Sequence, residues 1–294
     1  MGCRSLGRFA GLAALAGCQT MEQVEEDRSE RIRAFQGRTM ADFSGETGLT
    51  PSSFYPITGG RVFVVDGPPV NSSYGGYSNV IVVPEDFVLK VPESLPIEAA
   101  APILCAGVTV YSPMKHWGVK AGDKVGVLGL GGLGHMAVKI AKALGAEVTV
   151  FTSNPDKIKE AKTIGADAAV IETDKTALAE LTASFDFILS TVPDKHEVTP
   201  MLKLLKRDRM LIVVGNLDVI DGVDNSQLAF HRQGIAGSLI GNLADTQEVL
   251  DLCAEHGIAP EIEMIRIEDI NEAYARVENG ESRFRCVIDM SSLS

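Results

Sequence analysis

The sequence predicts an α/β protein built on a doubly wound parallel sheet, and three observations carry that expectation. From Val119 onward, short apolar strands alternate regularly with helical segments, as they do when crossover helices join parallel strands. A glycine-rich turn directly follows the first of these strands and opens a helix. The chain has 294 residues, 45% of them hydrophobic, enough to bury a sizeable core and to hold more than one domain.

The elements read in order. Residues 74–111 have the pattern of a strand followed by an apolar helix start. Lys124 to Leu128 is a strand and Gly132 to Leu144 a helix. Glu147 to Phe151 is a second strand; the next helix takes Asn154 as N-cap and Pro155 at its first position, where a missing N–H costs nothing. Ala168–Ile171, Phe185–Ser190, Met210–Val214 and Ile235–Ile240 are further short strands. Helices at Asp245–His256 and Ile270–Asn279 each stop at a glycine, Gly257 and Gly280, suited to the left-handed C′ position. Residues 19–73 differ: a charged run, Glu22 to Arg33, precedes a stretch rich in Gly, Ser, Thr and Pro, which reads as a poorly ordered or unrelated segment. No apolar run approaches the roughly 20 residues of a membrane helix.

A formal net charge of −12 argues against general affinity for nucleic acid or anionic membrane. Five scattered cysteines (Cys3, Cys18, Cys105, Cys253, Cys286) without a CxxC pair argue against a disulfide framework and suit a reducing, cytoplasmic setting. The N-terminus points elsewhere. Arg4 and Arg8 precede the apolar stretch Phe9–Ala16, and Leu15-Ala16-Gly17-Cys18 resembles the lipobox of bacterial lipoproteins, in which the cysteine is lipidated and ties the chain to a membrane. An inert leader or a misplaced start site fits residues 1–18 equally well.

Gly129-Leu130-Gly131-Gly132-Leu133-Gly134 fits the GxGxxG pattern, and its strand–turn–helix context makes it a Rossmann dinucleotide-binding signature. Gly129 permits the tight turn, Gly131 lets the backbone approach a pyrophosphate, and Gly134 lets helix and strand pack closely. The helix N-terminus offers free N–H groups and partial positive charge to the phosphates. NAD-binding versions end the second strand with a carboxylate that holds the ribose hydroxyls. Here that position reads Thr152-Ser153, with Lys157 nearby, so the sequence favours NADP(H): hydroxyls and an ammonium bind a 2′-phosphate that a carboxylate would repel. Asp156 on the first helical turn points away in this reading. A plainer reading gives Thr152 and Ser153 only a capping role.

At this point the residues resemble a family. Tyr74-Gly-Gly-Tyr-Ser through Asp289, including Leu104-Cys105-Ala-Gly-Val-Thr109, Gly129-Leu-Gly-Gly-Leu-Gly-His135, Ser184-Phe-Asp-Phe-Ile-Leu-Ser190 and Arg285-Cys-Val-Ile-Asp289, is similar to the zinc-dependent, NADP-linked alcohol dehydrogenases of the cinnamyl alcohol dehydrogenase group, within the medium-chain dehydrogenase/reductase superfamily. The resemblance implies hydride transfer between a small alcohol or aldehyde and NADP(H), with zinc polarising the oxygen. It places Cys105 at a catalytic zinc ligand, Thr109 beside the nicotinamide, Arg285 at the cofactor pyrophosphate, and Thr152, Ser153 and Lys157 around the 2′-phosphate. Without the family, Cys105 would pass for a small buried residue in an apolar helix.

The resemblance also implies parts that do not appear before Tyr74: a Cys-Gly-x-Cys-His segment, a Gly-His-Glu segment and a four-cysteine loop. His196-Glu197 is taken as coincidence, and His116, His135, His231 and His256 as capping or surface residues. The expectation is a Rossmann domain over 109–249 and a partial GroES-like, β-rich catalytic domain over 74–108 and 250–294. The whole reads as an N-terminally truncated dehydrogenase, with a possible signal at 1–18, impaired by loss of zinc ligands and prone to self-association. The rival is a silent NADP-binding or membrane-tethered lipoprotein.

Overall fold

The computed structural model describes residues 87–216, 219–220, 222–282 and 284–293, and the strands Pro51–Ile57, Gly60–Val65 and Val80–Val83 by their backbone. The leader with Arg4, Arg8 and Cys18 lies outside the described residues, as does the Tyr74–Ser78 segment. The chain divides into two compact units, and residues 86–294 belong to one of them.

The stretch expected to be broken carries two strands. β1 (Pro51–Ile57) and β2 (Gly60–Val65) form a three-stranded sheet with β3 (Val80–Val83), in the order β1-β2-β3. Their aromatic and β-branched residues, Phe54, Tyr55 and Ile57, then Val62 to Val65, favour extended chain locally despite the polar surroundings.

The central element is a six-stranded parallel sheet: β4 (Lys124–Leu128), β5 (Glu147–Thr152), β6 (Ala168–Ile171), β7 (Phe185–Ser190), β8 (Leu205–Val213) and β9 (Gly234–Gly237). The order is β6-β5-β4-β7-β8-β9, so the chain winds outward from β4 on one side and returns to continue on the other. That order puts the topological switch point between β4 and β7, where open α/β sheets bind ligands at the carboxyl ends of their strands. β4, β5 and β7 are buried almost throughout, which is why they read as continuous apolar runs.

Helices cover the sheet. α1 (Ile97–Pro102), a π-helical turn (Ile103–Gly107) and α2 (Val108–His116) form one continuous helix. Crossovers follow at α3 (Gly134–Ala143), α4 (Lys157–Thr163), α5 (Lys175–Glu180), α6 (Thr199–Leu202) and α7 (Asn225–His231). The 20-residue helix Ile97–His116 corrects the sequence reading: it is long and apolar enough to cross a membrane by length and composition. Yet 61% of its apolar window is buried inside the protein, with Ile103, Val108, Val110 and Met114 fully covered, so its apolarity belongs to a core helix.

Some boundaries move for local reasons. α4 begins at Lys157 rather than Pro155, because the Asn154 carbonyl and side chain instead close a turn: Asn154 Oδ1 accepts from the Asp156 N–H at 2.9 Å. β8 starts at Leu205, five residues early; Asp208 at φ +64° and a register shift opposite Phe185–Phe187 let the charged run Lys206–Arg209 bulge out of the ladder. α8 (Leu243–Glu255) begins two residues early, because Asn242 caps it by accepting from the Asp245 N–H at 2.8 Å. Gly257 and Gly280 take the expected positive φ, after α8 and α9 (Ile270–Glu278). β10 (Ile262–Arg266) and β11 (Arg285–Asp289) pair in parallel around α9, returning the chain end toward the glycine turn.

Candidate cofactor-binding site

The six residues after β4 form a loop at the switch point. Gly129 sits at φ +89°, a conformation that L side chains rarely adopt, and its N–H donates to the Phe151 carbonyl at 2.8 Å, tying the turn to β5. A side chain at Gly134 would drive into the Gly129 carbonyl, so α3 can start this close to β4 only with glycine there. At Gly131 a side chain would meet nothing within 4 Å. The backbone there faces open space at a helix N-terminus, as a cradle for an anionic group requires. Gly132 is held differently: its carbonyl accepts from Arg285 Nε at 3.3 Å, and an added Cβ would strike that guanidinium at 2.7 Å. Leu133 is half-buried against the main core. Thr191, at the end of β7, donates from Oγ1 to the Leu128 carbonyl at 2.9 Å and closes the loop from the other side of the switch point.

The second strand ends at Thr152, which is buried; its Oγ1 accepts from the Asn154 N–H at 3.2 Å. This contact closes the turn after β5; the next helix, at Lys157, has Asp156 at its N-cap and no side-chain cap bond, and Ser153 is exposed. Lys157 reaches back across the cleft and donates from Nζ to the Leu130 carbonyl at 2.8 Å. It thus places a cation between the end of β5 and the glycine loop. Arg285, the first residue of β11, lies at the same loop; burial draws its guanidinium below its ordinary value, with nearby Cys105 acting in the opposite sense.

Cys105 corrects the family-free expectation of burial: it is exposed, in the π-helical turn, where Leu104 is also exposed and Ile103, Ala106 and Gly107 are buried. The turn has a local cause. Pro102 lacks an N–H to continue the α-helical ladder, and Gly107 lets the chain pass Ile103 where a Cβ would lie 2.9 Å from Cγ2. Thr109 is buried, one turn further along. Among the described residues, no group of three or more His, Cys, Asp or Glu side chains converges to hold a metal. Cys105 alone does not fit the roughly three protein ligands of a catalytic zinc.

Of the two expectations for His135, capping or surface, the second is overturned: the ring is fully buried. Its ring stacks on Phe284 at 4.5 Å and 16°, and Phe284 itself holds φ +62°. Sequence reasoning missed both, although each adjoins a residue it had singled out, Gly134 and Arg285. His196 also has a role: Nε2 meets buried Ser190 Oγ at 2.9 Å and the ring's Nδ1 donates to the Asp194 carbonyl at 2.8 Å, which fixes the loop after β7. A separate shallow cavity of about 450 Å³, lined by Glu263, Arg266, Glu272 and Arg276 among others, lies along β10 and α9, apart from the loop residues.

Comparison with known proteins decides the lineage. Residues 132–255 match the zinc-binding dehydrogenase family. The NADP-dependent alcohol dehydrogenase C 1 of Mycolicibacterium smegmatis is 47% identical over 228 residues, 78% of this chain and 64% of that protein. Residues 132–255 thus form a domain of that family, within a chain similar to NADP-dependent alcohol dehydrogenases. Two solved dehydrogenases share its fold. A cinnamyl alcohol dehydrogenase from Sorghum bicolor has 43% identity and a TM-score of 0.68 over 71% of this chain and 60% of its own. A cinnamyl alcohol dehydrogenase from Helicobacter pylori, solved with NADP(H), has 40% identity and a TM-score of 0.64 over 71% and 59%. This chain thus spans less than two thirds of the length of these relatives.

Proposed function

We propose that this chain binds NADP(H) at the β4–α3 loop and serves hydride transfer between that cofactor and small alcohols or aldehydes. The observation that carries the reading is the end of β5: Thr152 and Ser153 stand where an NAD site needs a carboxylate, and Lys157 is anchored on Leu130 within the same cleft. The bound cofactor would supply the hydride at nicotinamide C4. The chain's own residues do the holding. The open backbone at Gly131 and the α3 N-terminus receive the pyrophosphate, Arg285 adds a cation beside it, and Ser153 and Lys157 bind the 2′-phosphate. Thr109 borders the nicotinamide.

The zinc of the family has no comparable site among the described residues. With only Cys105 in place, aldehyde turnover by this chain is expected to be slow. Exposed apolar residues on both flanks, Ile97 and Leu104 before the sheet and Met264, Tyr274 and Val277 after it, support self-association. A cytoplasmic site, where NADP(H) is at hand, accords with this reading. A silent NADP-binding protein is the second reading, favoured by the same lone cysteine; an aldehyde-reduction assay with NADPH separates the two.

Titration with the two cofactors tests the main reading. NADPH should bind more tightly than NADH by about 1.5–3 kcal/mol, the worth of one or two charge-assisted bonds to the phosphate. Thr152→Asp should narrow the gap. Equal dissociation constants, or a preference for NADH, would overturn it.

A further inference from the structure

His135 stands one residue past the glycine motif, touches no open surface, and takes part in no chemistry described above. Its hydrogen bonds define its chemical state. Nδ1 lies 3.1 Å from the Gly131 carbonyl, which can only accept, so Nδ1 carries the proton. Nε2 lies 3.3 Å from the Glu261 backbone N–H, which can only donate, so Nε2 presents a lone pair. The ring is therefore the neutral Nδ1–H tautomer, and it spans from the loop to the segment before β10.

Two further links run in parallel. Lys139, one turn along α3, donates to the Ala259 carbonyl at 2.6 Å and pairs with Glu261 at 3.1 Å. Phe284 lies flat against the imidazole, and Arg285 donates to the Gly132 carbonyl. The Gly131 carbonyl, which also accepts the His135 backbone N–H at 3.0 Å, and the Gly132 carbonyl are thus both held by side chains that answer to the C-terminal segment 259–285. Gly131 is also the loop position whose backbone faces open space. Rotating its peptide would swing the neighbouring N–H away from an anion.

We propose that His135 is a positioning residue for the dinucleotide, fixing the Gly131 peptide so that the loop presents its N–H groups to the pyrophosphate, with the C-terminal segment as its anchor. The proposal rests on the NADP(H) reading above. Burial draws the imidazole down to about 4, against the opposing hydrogen bond to Gly131; Lys139 and Arg285 add to the fall and Glu261 opposes it, so the ring stays neutral across the working pH range.

The test uses two ligands on the full chain: NADP+, which carries the pyrophosphate, and adenosine 2′-phosphate, which reaches only the end of β5. His135→Leu should weaken NADP+ about tenfold, the worth of roughly one net hydrogen bond, and leave adenosine 2′-phosphate within about twofold. His135→Asn, which keeps an N–H near the Nδ1 position, should recover part of the loss. Phe284→Leu should show the same selective loss in milder form, and it decides the matter if His135→Leu does not fold. Wild-type protein that binds neither ligand refutes the NADP(H) reading itself. Wild-type binding with equal losses of both ligands in the variants, no loss of either, or no recovery in His135→Asn overturns the role of His135.

Discussion

The glycine loop and the Cys105 turn lie in the same compact unit, and they differ in how completely their surroundings answer them. Around the loop, nearly every group has a fixed partner: Gly129 with Phe151, Gly132 with Arg285, Leu130 with Lys157, Leu128 with Thr191. Around Cys105, the thiol and Leu104 face outward, and no second and third metal-ligating side chains converge among the described residues. The difference follows from what each site needs. A phosphate cradle is made of backbone N–H groups and a helix end, so one contiguous stretch can carry it. A zinc site needs several side chains brought together from distant segments.

The sharpest way to break this comparison is to fill the cradle. Gly134→Ala should be the most damaging single change, because its methyl group has only the Gly129 carbonyl to occupy. Overpacking of this kind costs about 1–3 kcal/mol, and the β4–α3 spacing should shift enough to abolish NADP+ binding. Gly131→Ala has free space around it and should leave the urea midpoint nearly unchanged while still weakening NADP+, since the new methyl stands where the ligand must approach. Calorimetric titration beside urea denaturation reads both. If Gly131→Ala unfolds the protein, or Gly134→Ala binds normally, the loop is not packed as described.

Acid should loosen the same region before it affects the Cys105 turn. His135 has an ordinary value of 6.5 that burial lowers to about 4 in the folded protein. Between these two pH values the unfolded chain takes up a proton that the folded chain refuses, so stability falls as pH drops from 6.5 and levels off below about 4. With about 1.4 kcal/mol per pH unit, this one group removes roughly 3 kcal/mol across that window. Urea denaturation at pH 7, 5.5 and 4.5 measures the slope, and His135→Asn should flatten it. An unchanged slope in the variant would mean that other groups govern the acid response.

The parallel sheet was legible because its central strands β4, β5 and β7 are buried and read as apolar runs, and the loop was legible because its glycines answer to one another over six residues. The contacts of His135 with Glu261 and Phe284 were not, because they join residues 126 and 149 positions apart and no local pattern marks them. Lys157 was read as a cation near the end of β5, but its contact with Leu130 depends on a side chain crossing between β4 and β5. The exposure of Cys105 was not legible for a subtler reason. An α-helix through Ile103–Gly107 would present a different face from the π-helical turn, and only the pairing of Pro102 with Gly107 hints at the change. β1 and β2 were missed because surrounding Gly, Ser and Pro outweighed two short runs of aromatic and β-branched residues.

The smallest effect is expected at Cys105. The side chain is exposed and packs into no cluster, so Cys105→Ser should change stability by less than about 0.5 kcal/mol, as surface substitutions usually do. NADP+ affinity should also hold, because the thiol neighbours Arg285 without being its partner at the loop, where Arg285 is engaged with Gly132. Zinc is the quantity that sharpens the contrast. A single cysteine ligand leaves the ion mostly hydrated and readily lost, so the purified protein should carry well under one equivalent of zinc, and Cys105→Ser should scarcely lower it. Elemental analysis of both proteins, run beside an NADPH-dependent aldehyde assay, gives the answer. A full equivalent of zinc and brisk turnover, both abolished in Cys105→Ser, would show that residues outside those described here complete the metal site, and the contrast between a finished cradle and a lone thiol would fail.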